Sequence, residues 1–315
     1  MKKKLRRGSA LLLVKFLILL TRVLPRKAGL ALFSALGSAA YSLYGRDRER
    51  AKANLSLAFP DSDALIVESL AKGSFAALAR NAYDALSLVH LSRSKILDLC
   101  GVDGEEYFEA ACARGSGVIA LTGHIGCWEL MAAYFSNKGY KVSVIARNLH
   151  DVRLNDMLVR MRKRHNLVSI PRGTSAVSAY KVLRRGEVLG MLIDQDIDVD
   201  GVFVPFFGVP AYTPRGAAVF ALRSNAAVVP MADHMQPGGK HRITVLPELE
   251  FPSDGLTEQE RIDELTARCS EAVEKLIRIY PQQWVWFHDR WKKRPEGGSD
   301  VAGFETRYDG RAGLC

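Results

Sequence analysis

The segment G-H-I-G-C-W-E-L at residues 123–130 places a histidine and a glutamate five positions apart, directly after an apolar run. An imidazole that donates one ring N–H to a carboxylate keeps its other nitrogen basic, and a general base needs that arrangement. If the turn folds back, Glu129 can accept such a hydrogen bond from His124. The spacing also fits two polar residues at the edge of a core, so both interpretations stay open.

The residue types in this segment also occur in metal sites and in cysteine nucleophiles. A metal site needs a third ligand, but no H-E-x-x-H motif occurs, and the other histidines show no metal-ligand spacing. Cys127 could be a nucleophile with His124 as its base, but no oxyanion motif accompanies it, and a buried cysteine is favoured. We therefore expect no metal and no other cofactor.

The acidic stretch D-Q-D-I-D-V-D-G at residues 194–201 partly matches a calcium loop. The match fails because Phe207 stands where the loop needs a bidentate glutamate. We expect Asp194 and Asp196, at the end of a strand, to orient a basic partner or a substrate hydroxyl.

An apolar segment, V-F-V-P-F-F-G-V-P-A-Y-T-P-R-G, follows at residues 202–216. Its prolines, phenylalanines and glycines predict a rigid loop that either walls a groove for an acyl chain or belongs to the core. Arg215 stands near the start of the next helix, where it could bind a phosphate group.

Short apolar runs alternate with helical segments from residue 117 onward, whereas the first hundred residues are mostly helical. The predicted strands are 117–122, 141–146, 167–170, 188–194, 226–231 and 241–246. The predicted helices among them are 127–139, 151–165, 174–185, 214–224 and 257–279. This order predicts an α/β fold with a central mixed, largely parallel sheet flanked by helices.

The net charge of +10 is concentrated at the N-terminus, because residues 1–27 hold nine Lys or Arg and no acid. The remainder carries 35 basic and 34 acidic residues, which argues against a nucleic-acid-binding body. The segment Q-Q-W-V-W-F-H-D-R-W-K-K-R at residues 282–294 interleaves Trp with basic residues. This composition suits single-stranded nucleic acid or a membrane headgroup region, and the nearly neutral body favours the membrane.

Residues 8–25 combine an apolar run with basic flanks, which predicts a membrane anchor that either spans the bilayer or lies in its interface. The alternative is a basic amphipathic helix packed on its own domain. Five cysteines without a C-x-x-C motif indicate reduced thiols in a body facing the cytoplasm. We expect anchoring helices over residues 1–45, a catalytic domain over 46–295 and a mobile tail over 296–315.

Several motifs resemble, in order and spacing, the lipid A late acyltransferases, which are the lauroyl and myristoyl transferases of lipopolysaccharide assembly. They are R-x-x-x-x-x-N-L-x-x-A-F-P ending at Pro60, H-x-x-x-x-E at residues 124–129, R-N-L-H-D-x-R-L-N at 147–155, D-Q-D followed by V-F-V-P-F-F-G, and Y-P-x-Q-W-x-W-x-H-x-R-W-K. The resemblance extends to about residue 294. Cys127 departs from the family's usual Asn, and T-P-R-G at 213–216 departs from its small residues, which puts the acceptor in doubt.

The resemblance implies a glycerolphosphate-acyltransferase-like fold at the bacterial inner membrane and direct acyl transfer without an acyl-enzyme. The donor would be acyl-carrier protein, and the acceptor a hydroxyl of a lipid A precursor. His124 would be the base, and Glu129 would hold its imidazole. Arg147, with Arg153 or Arg215, would bind acceptor phosphates.

Three points stay open at this stage. The basic helix at residues 160–164 could dock the acidic carrier protein or be a solvated face. A related enzyme could acylate a lysophospholipid or another glycolipid from acyl-CoA. A non-catalytic lipid-binding membrane protein is the alternative from another class.

Overall fold

The computed structural model describes residues 2–173 and 175–295. Its helices are α1 (Lys2–Val23), α2 (Arg26–Leu43), α3 (Gly45–Ala58), α4 (Ala64–Ser87), α5 (Arg93–Leu99), α6 (Glu105–Ala113), α7 (Trp128–Lys138), α8 (Val152–Arg164), α9 (Ser175–Arg184), α10 (Gly216–Ser224) and α11 (Glu258–Ile279), with a 3-10 turn at Pro281–Gln283. Its strands are β1 (Cys100–Asp103), β2 (Val118–Thr122), β3 (Val142–Ala146), β4 (Val168–Pro171), β5 (Val188–Leu192), β6 (Gly201–Phe206), β7 (Val209–Pro214), β8 (Ala227–Met235) and β9 (His241–Val245).

Seven strands form the central sheet in the order β1-β9-β8-β2-β5-β3-β4. All neighbouring pairs are parallel except β8 and β9, which pair antiparallel. The predicted α/β class with a mixed, largely parallel sheet is therefore confirmed. Strand β2 lies between β8 and β5, so its C-terminal end opens at the middle of the sheet edge.

The sheet is covered on both faces, which explains why β2 is apolar throughout. Because side chains alternate along a strand, Ile119 and Leu121 pack into a cluster with residues of α10 and α11. Val118 and Ala120 pack on the other face with residues of α6 and α7. Helix α7 ends at Gly139, which adopts the left-handed conformation typical of a helix C-cap.

The predicted rigid loop at residues 202–216 is wrong, because β6 and β7 form an antiparallel hairpin there. Pro205 and Pro210 lie opposite each other, which a two-stranded hairpin tolerates on its unpaired outer edges. Elements α5, β1 and α6 were not predicted, since they are short and β1 is only half-buried.

The tryptophans near the C-terminus do not face a lipid headgroup region, so that prediction is also wrong. Trp284, Trp286 and Trp291 are all at most 5% exposed and belong to the core. Arg290 is equally buried and donates to the Tyr212 carbonyl and the Thr213 hydroxyl, both at 2.6 Å.

At the N-terminal end, α1 and α2 pack against α4. No helix within the described part of the chain is both long and apolar enough to cross a membrane. The predicted mobile tail at residues 296–315 lies outside the described residues.

Candidate active site

His124 lies in the turn between β2 and α7, at the edge where the carboxyl ends of β2, β3 and β5 meet. Asp194, which follows β5, contacts this histidine twice. Its Oδ1 lies 2.8 Å from His124 Nδ1, and its Oδ2 accepts the His124 backbone N–H at 2.6 Å. A carboxylate partner assigns the proton to Nδ1, so Nε2 carries the lone pair.

Asp194 is almost completely buried, and Trp284 Nε1 donates to its Oδ2 at 2.7 Å. Burial alone would raise the pKa of this carboxyl, but the neighbouring His124 ring and the hydrogen bonds from His124 and Trp284 hold that pKa well below its usual range. An ionised Asp194 can therefore orient the imidazole and stabilise the imidazolium that forms when His124 takes a proton.

Two glycines permit this geometry. A Cβ atom at Gly123 would lie 2.9 Å from Asp194 Oδ2, so a side chain there would push the carboxylate away from His124. Gly126 has a φ of +57°, and a Cβ atom there would lie 1.9 Å from the Asp233 carbonyl oxygen. Both glycines of the G-H-I-G motif thus serve close backbone approach in the turn.

A second buried carboxylate holds the same turn from its other side. Asp233 on β8 accepts the Cys127 backbone N–H at 2.8 Å, and its same oxygen lies 2.7 Å from His241 Nδ1. His241 Nε2 lies 2.9 Å from Asp84, which forms a bidentate ion pair with Arg26. Burial alone would lower the pKa of His241, but Asp233 and Asp84 raise it to about 9. Sequence reasoning missed this network, because its members are dispersed along the chain.

Glu129 does not bind the imidazole, contrary to the expected hydrogen bond. Its two carboxylate oxygens face the Arg162 guanidinium: Oε2 accepts from Arg162 Nε at 3.0 Å, and Oε1 accepts from Nη2. The first turn of α7 directs Glu129 towards α8, whereas Asp194 occupies the Nδ1 side of His124. Glu129 nevertheless lines the same cavity as His124.

This cavity, called here the first cavity, has a volume of about 310 Å³ and extends from His124 along one face of the sheet. Val188 and Leu192, at the two ends of β5, both line it, so it follows the strand for about 13 Å at ~3.3 Å per residue. Phe108, Phe135 and Met231 also line the cavity, with further apolar side chains. A mostly apolar cavity of this length can hold a hydrocarbon chain.

Only one of the three predicted phosphate-binding arginines reaches this cavity. Arg147 lines it, together with Arg172, which sequence reasoning did not identify. Arg153 pairs with Asp151 at 2.7 Å and lines a different groove, beside α1. Arg215 donates to Asp200 at 2.8 Å in a separate cavity.

The two acids expected near a substrate do not line the first cavity either. Asp194 contacts His124, which agrees with the expectation that it orients a basic partner. Asp196 instead accepts the Lys293 backbone N–H at 2.8 Å. Gln195 and Ile197, on either side of Asp196, line the cavity instead. Within residues 2–173 and 175–295, no three His, Cys, Asp or Glu side chains cluster as a metal site.

Cys127 has the properties of a core residue. Its side chain is buried, and burial together with the nearby Asp233 and Asp84 charges raises the pKa of the thiol well above its ordinary value. The thiolate is the nucleophilic form, so this environment opposes a covalent role.

Comparison with known proteins gives the family. The model for bacterial lipid A biosynthesis acyltransferase matches residues 2–293. The chain belongs to this family. It is 27% identical to the lipid A biosynthesis lauroyltransferase of Escherichia coli K12 over 266 residues, which are 83% of this chain and 84% of the relative.

Two further relatives are acyltransferases named for different lipids. The lipid A biosynthesis palmitoleoyltransferase of E. coli K12 is 26% identical, with 84% of this chain and 85% of the relative covered. A phosphatidylinositol mannoside acyltransferase of Mycolicibacterium smegmatis is 22% identical, with 86% and 88% covered. The chain is thus an enzyme that transfers acyl groups, as the motif resemblance predicted.

Proposed function

We propose that this acyltransferase moves a fatty acyl chain from a thioester donor to a hydroxyl group of a lipid A precursor, with His124 as the general base. The observation that carries the proposal is the His124–Asp194 pair, with His124 lining a mostly apolar cavity. The cavity suits the donor's acyl chain, and the imidazole stands where the chain's activated carbonyl would emerge.

The reaction needs one proton carrier and no covalent intermediate on the enzyme. His124 Nε2 removes the proton from the acceptor hydroxyl as its oxygen attacks the thioester carbonyl. The tetrahedral intermediate collapses by breaking the C–S bond, and the departing thiolate takes the proton from the imidazolium. A positioned general base of this kind contributes about 10²–10⁴-fold. The high pKa of the Cys127 thiol supports direct transfer.

Glu129 contributes through Arg162 in this scheme. The Arg162 guanidinium is held by Glu129 and donates to the Ser169 hydroxyl at 3.2 Å, so its orientation at the cavity wall is fixed. Although Glu129 balances its charge, the oriented guanidinium can donate a remaining N–H to the thioester oxygen on which negative charge develops. Glu129 is then a positioning residue for that cation.

Two arginines at the mouth are suited to an acidic acceptor. Arg147 and Arg172 have no carboxylate partner in the part of the chain that the structure describes, whereas Arg153 and Arg215 are paired. Arg147 Nη2 lies 3.0 Å from His150 Nε2, which does not neutralise its charge when that ring is neutral. Guanidinium groups without a carboxylate partner bind phosphate bidentately, which favours a phosphorylated glycolipid as the acceptor. The mycobacterial relative makes a phosphatidylinositol mannoside the second candidate acceptor.

Acyl-carrier protein is the proposed donor, because basic side chains of α8 surround a groove between α1 and α8. Arg160 and Arg164 line this groove with Lys15 of α1, and carrier protein is acidic. Acyl-CoA is the competing donor, and it would use the same cavity for its chain.

We further propose that α1 lies in the membrane interface, on the cytoplasmic face of the inner membrane. Leu12, Leu13, Phe16 and Leu19 are each more than half exposed, and an apolar helix face of this size binds lipid surfaces. The wild-type protein should float with anionic vesicles in a density gradient. The variant with both Leu12 and Phe16 changed to Gln should not float with them. Equal flotation of this variant and the wild type would contradict the interfacial placement.

The test of the reaction uses the full chain in detergent–lipid micelles, as wild type, His124→Ala and Cys127→Ala. Radiolabelled acyl chains are supplied on carrier protein or on coenzyme A, with a lipid A precursor, a phosphatidylinositol mannoside or a lysophospholipid as acceptor. Cys127→Ala is the matched control, because it removes the thiol and keeps the backbone N–H that Asp233 binds.

We expect label in the lipid A precursor with the wild type and Cys127→Ala, and a loss of at least about 10²-fold in His124→Ala. Near-normal turnover by a folded His124→Ala would refute the general-base assignment. Transfer to another acceptor alone would keep the mechanism and change the substrate. Loss of activity in Cys127→Ala with an unchanged unfolding temperature would favour an acyl-enzyme.

A further inference from the structure

A second cavity, of about 730 Å³, lies on the opposite face of the sheet from the first. Met191 and Ile193 line the second cavity, whereas Val188 and Gly190 line the first, as the alternation of side chains along β5 and its continuation requires. Helices α10 and α11 form its other walls. The β5 segment thus separates two cavities.

The two cavities meet at the edge of the sheet near His124. Four residues line both of them: Ile145, Arg172, Leu192 and Ile197. A molecule in the second cavity therefore reaches the mouth of the first without crossing the sheet. Because the reacting groups must meet at His124, this shared rim connects the second cavity to the chemistry.

The walls of the second cavity suit a hydrocarbon chain. Met191, Ile193, Val219, Phe220 and Ile262 all line it. Its volume is within the range of roughly 300–1,000 Å³ that is typical of small-molecule ligand sites.

The charged side chains around the second cavity are mostly neutralised. Arg215 pairs with Asp200, and Arg223 lies 2.9 Å from Glu258. Arg172, at the shared rim, has no carboxylate partner among the described residues. Partial burial and the positive charge of Arg147 lower the pKa of Arg172, so an anion between these two guanidiniums would relieve their repulsion.

We propose that the second cavity holds an acyl chain that the acceptor lipid already carries, with the acceptor's anionic group bound between Arg147 and Arg172. This inference rests on the proposed function. The donor chain then lies on one face of the sheet and the acceptor chain on the other, with the thioester and the hydroxyl meeting at the shared rim. Because each chain then contacts its own set of wall residues, the two cavities can select donor and acceptor chains separately.

The test enlarges a side chain that lines the second cavity, so that less room is left for an acyl chain. Ala176, on α9, lines this cavity, whereas the adjacent Val177 does not and is 66% exposed. Ala176→Trp should therefore obstruct the chain, and Val177→Trp is the matched control. Val219→Trp, on α10, obstructs the cavity from a different wall. If one of the two obstructing variants fails to fold, the other still tests the proposal.

The readout is the KM for two acceptors that differ only in the length of the carried acyl chain. Each obstructing variant should raise the KM for the long-chain acceptor about tenfold. The KM for the short-chain acceptor, the KM for the acyl donor and all values for Val177→Trp should change less than twofold. Equal effects on both acceptors, an effect on the donor alone, or no effect while the wild type transfers normally would each overturn the proposal.

A binding experiment makes the test independent of turnover. A lipid A precursor with a photoactivatable diazirine at the end of one acyl chain is bound to the wild type, irradiated and located by peptide mass spectrometry. We expect cross-links at Met191 or Phe220, in the second cavity. Cross-links at Met131 or Phe135, in the first cavity, would place the acceptor chain with the donor chain and overturn the inference. Absence of transfer by the wild type would instead count against the proposed function.

Discussion

Replacing His241 by Gln tests whether the buried charge network behind the active-site turn stabilises the fold. His241 is fully buried between Asp84 and Asp233, and Arg26 is the remaining charged partner of Asp84. Among the described residues, the variant leaves two buried carboxylates with the Arg26 cation alone to balance them. Breaking a buried ion pair on one side costs about 3–5 kcal/mol.

The pH dependence of the free energy of unfolding tests the charge on His241 more directly than the loss of stability at one pH. The pKa of His241 is about 9 in the native state, against 6.5 for an ordinary histidine. A raised native pKa stabilises the fold fully below about pH 6.5, and this stabilisation is lost as the pH rises towards 9. At ~1.4 kcal/mol for each pKa unit, the contribution that disappears over this window is ~3 kcal/mol.

The assay is urea unfolding in detergent between pH 6 and 9.5, followed by fluorescence of the buried tryptophans. The free energy of unfolding of His241→Gln should fall short of the wild-type value most at pH 6, and the difference should shrink by ~3 kcal/mol towards pH 9.5. His150→Gln, at an exposed histidine, is the control and should follow the wild type at every pH. A difference that stays constant across this range would refute the charged state assigned to His241.

The remaining predictions concern catalysis. Asp194→Asn should lower kcat about 10²–10⁴-fold with little change in acceptor KM, because the amide no longer stabilises the His124 imidazolium. Steady-state kinetics on a variant with an unchanged unfolding temperature measures this effect. A normal kcat would contradict the role of Asp194. Arg147→Ala should raise the KM for a phosphorylated acceptor about 10–100-fold, as expected for loss of a charged hydrogen bond. Arg153→Ala should leave that KM unchanged, since Asp151 already neutralises Arg153; equal values for both variants would remove Arg147 from the site.

Most of the sheet could be predicted from the sequence, because buried parallel strands are short apolar runs and the helices between them have clear periodicity. The β6–β7 hairpin could not. Its turn uses Phe207 and Gly208, both at positive φ, and a phenylalanine is not a signal for such a turn. Tertiary contacts hold Phe207 there: its N–H donates to Glu274, and its ring lies under the Arg278 guanidinium. These contacts are between residues far apart in the sequence, so local propensity could not predict the turn.

The carboxylate partner of His124 could be identified only with the strand order, which cannot be read from the sequence. Glu129 is the nearest acid downstream of the motif, but helix α7 carries it towards Arg162. Strand β2 ends in the active-site turn and pairs with β5 on one side and β8 on the other. Each neighbour supplies one buried carboxylate to a backbone N–H of that turn: Asp194 to His124 and Asp233 to Cys127. The two strands beside β2 therefore fix the turn that carries His124 from both sides, and its geometry follows from sheet topology rather than from the spacing of His124 and Glu129.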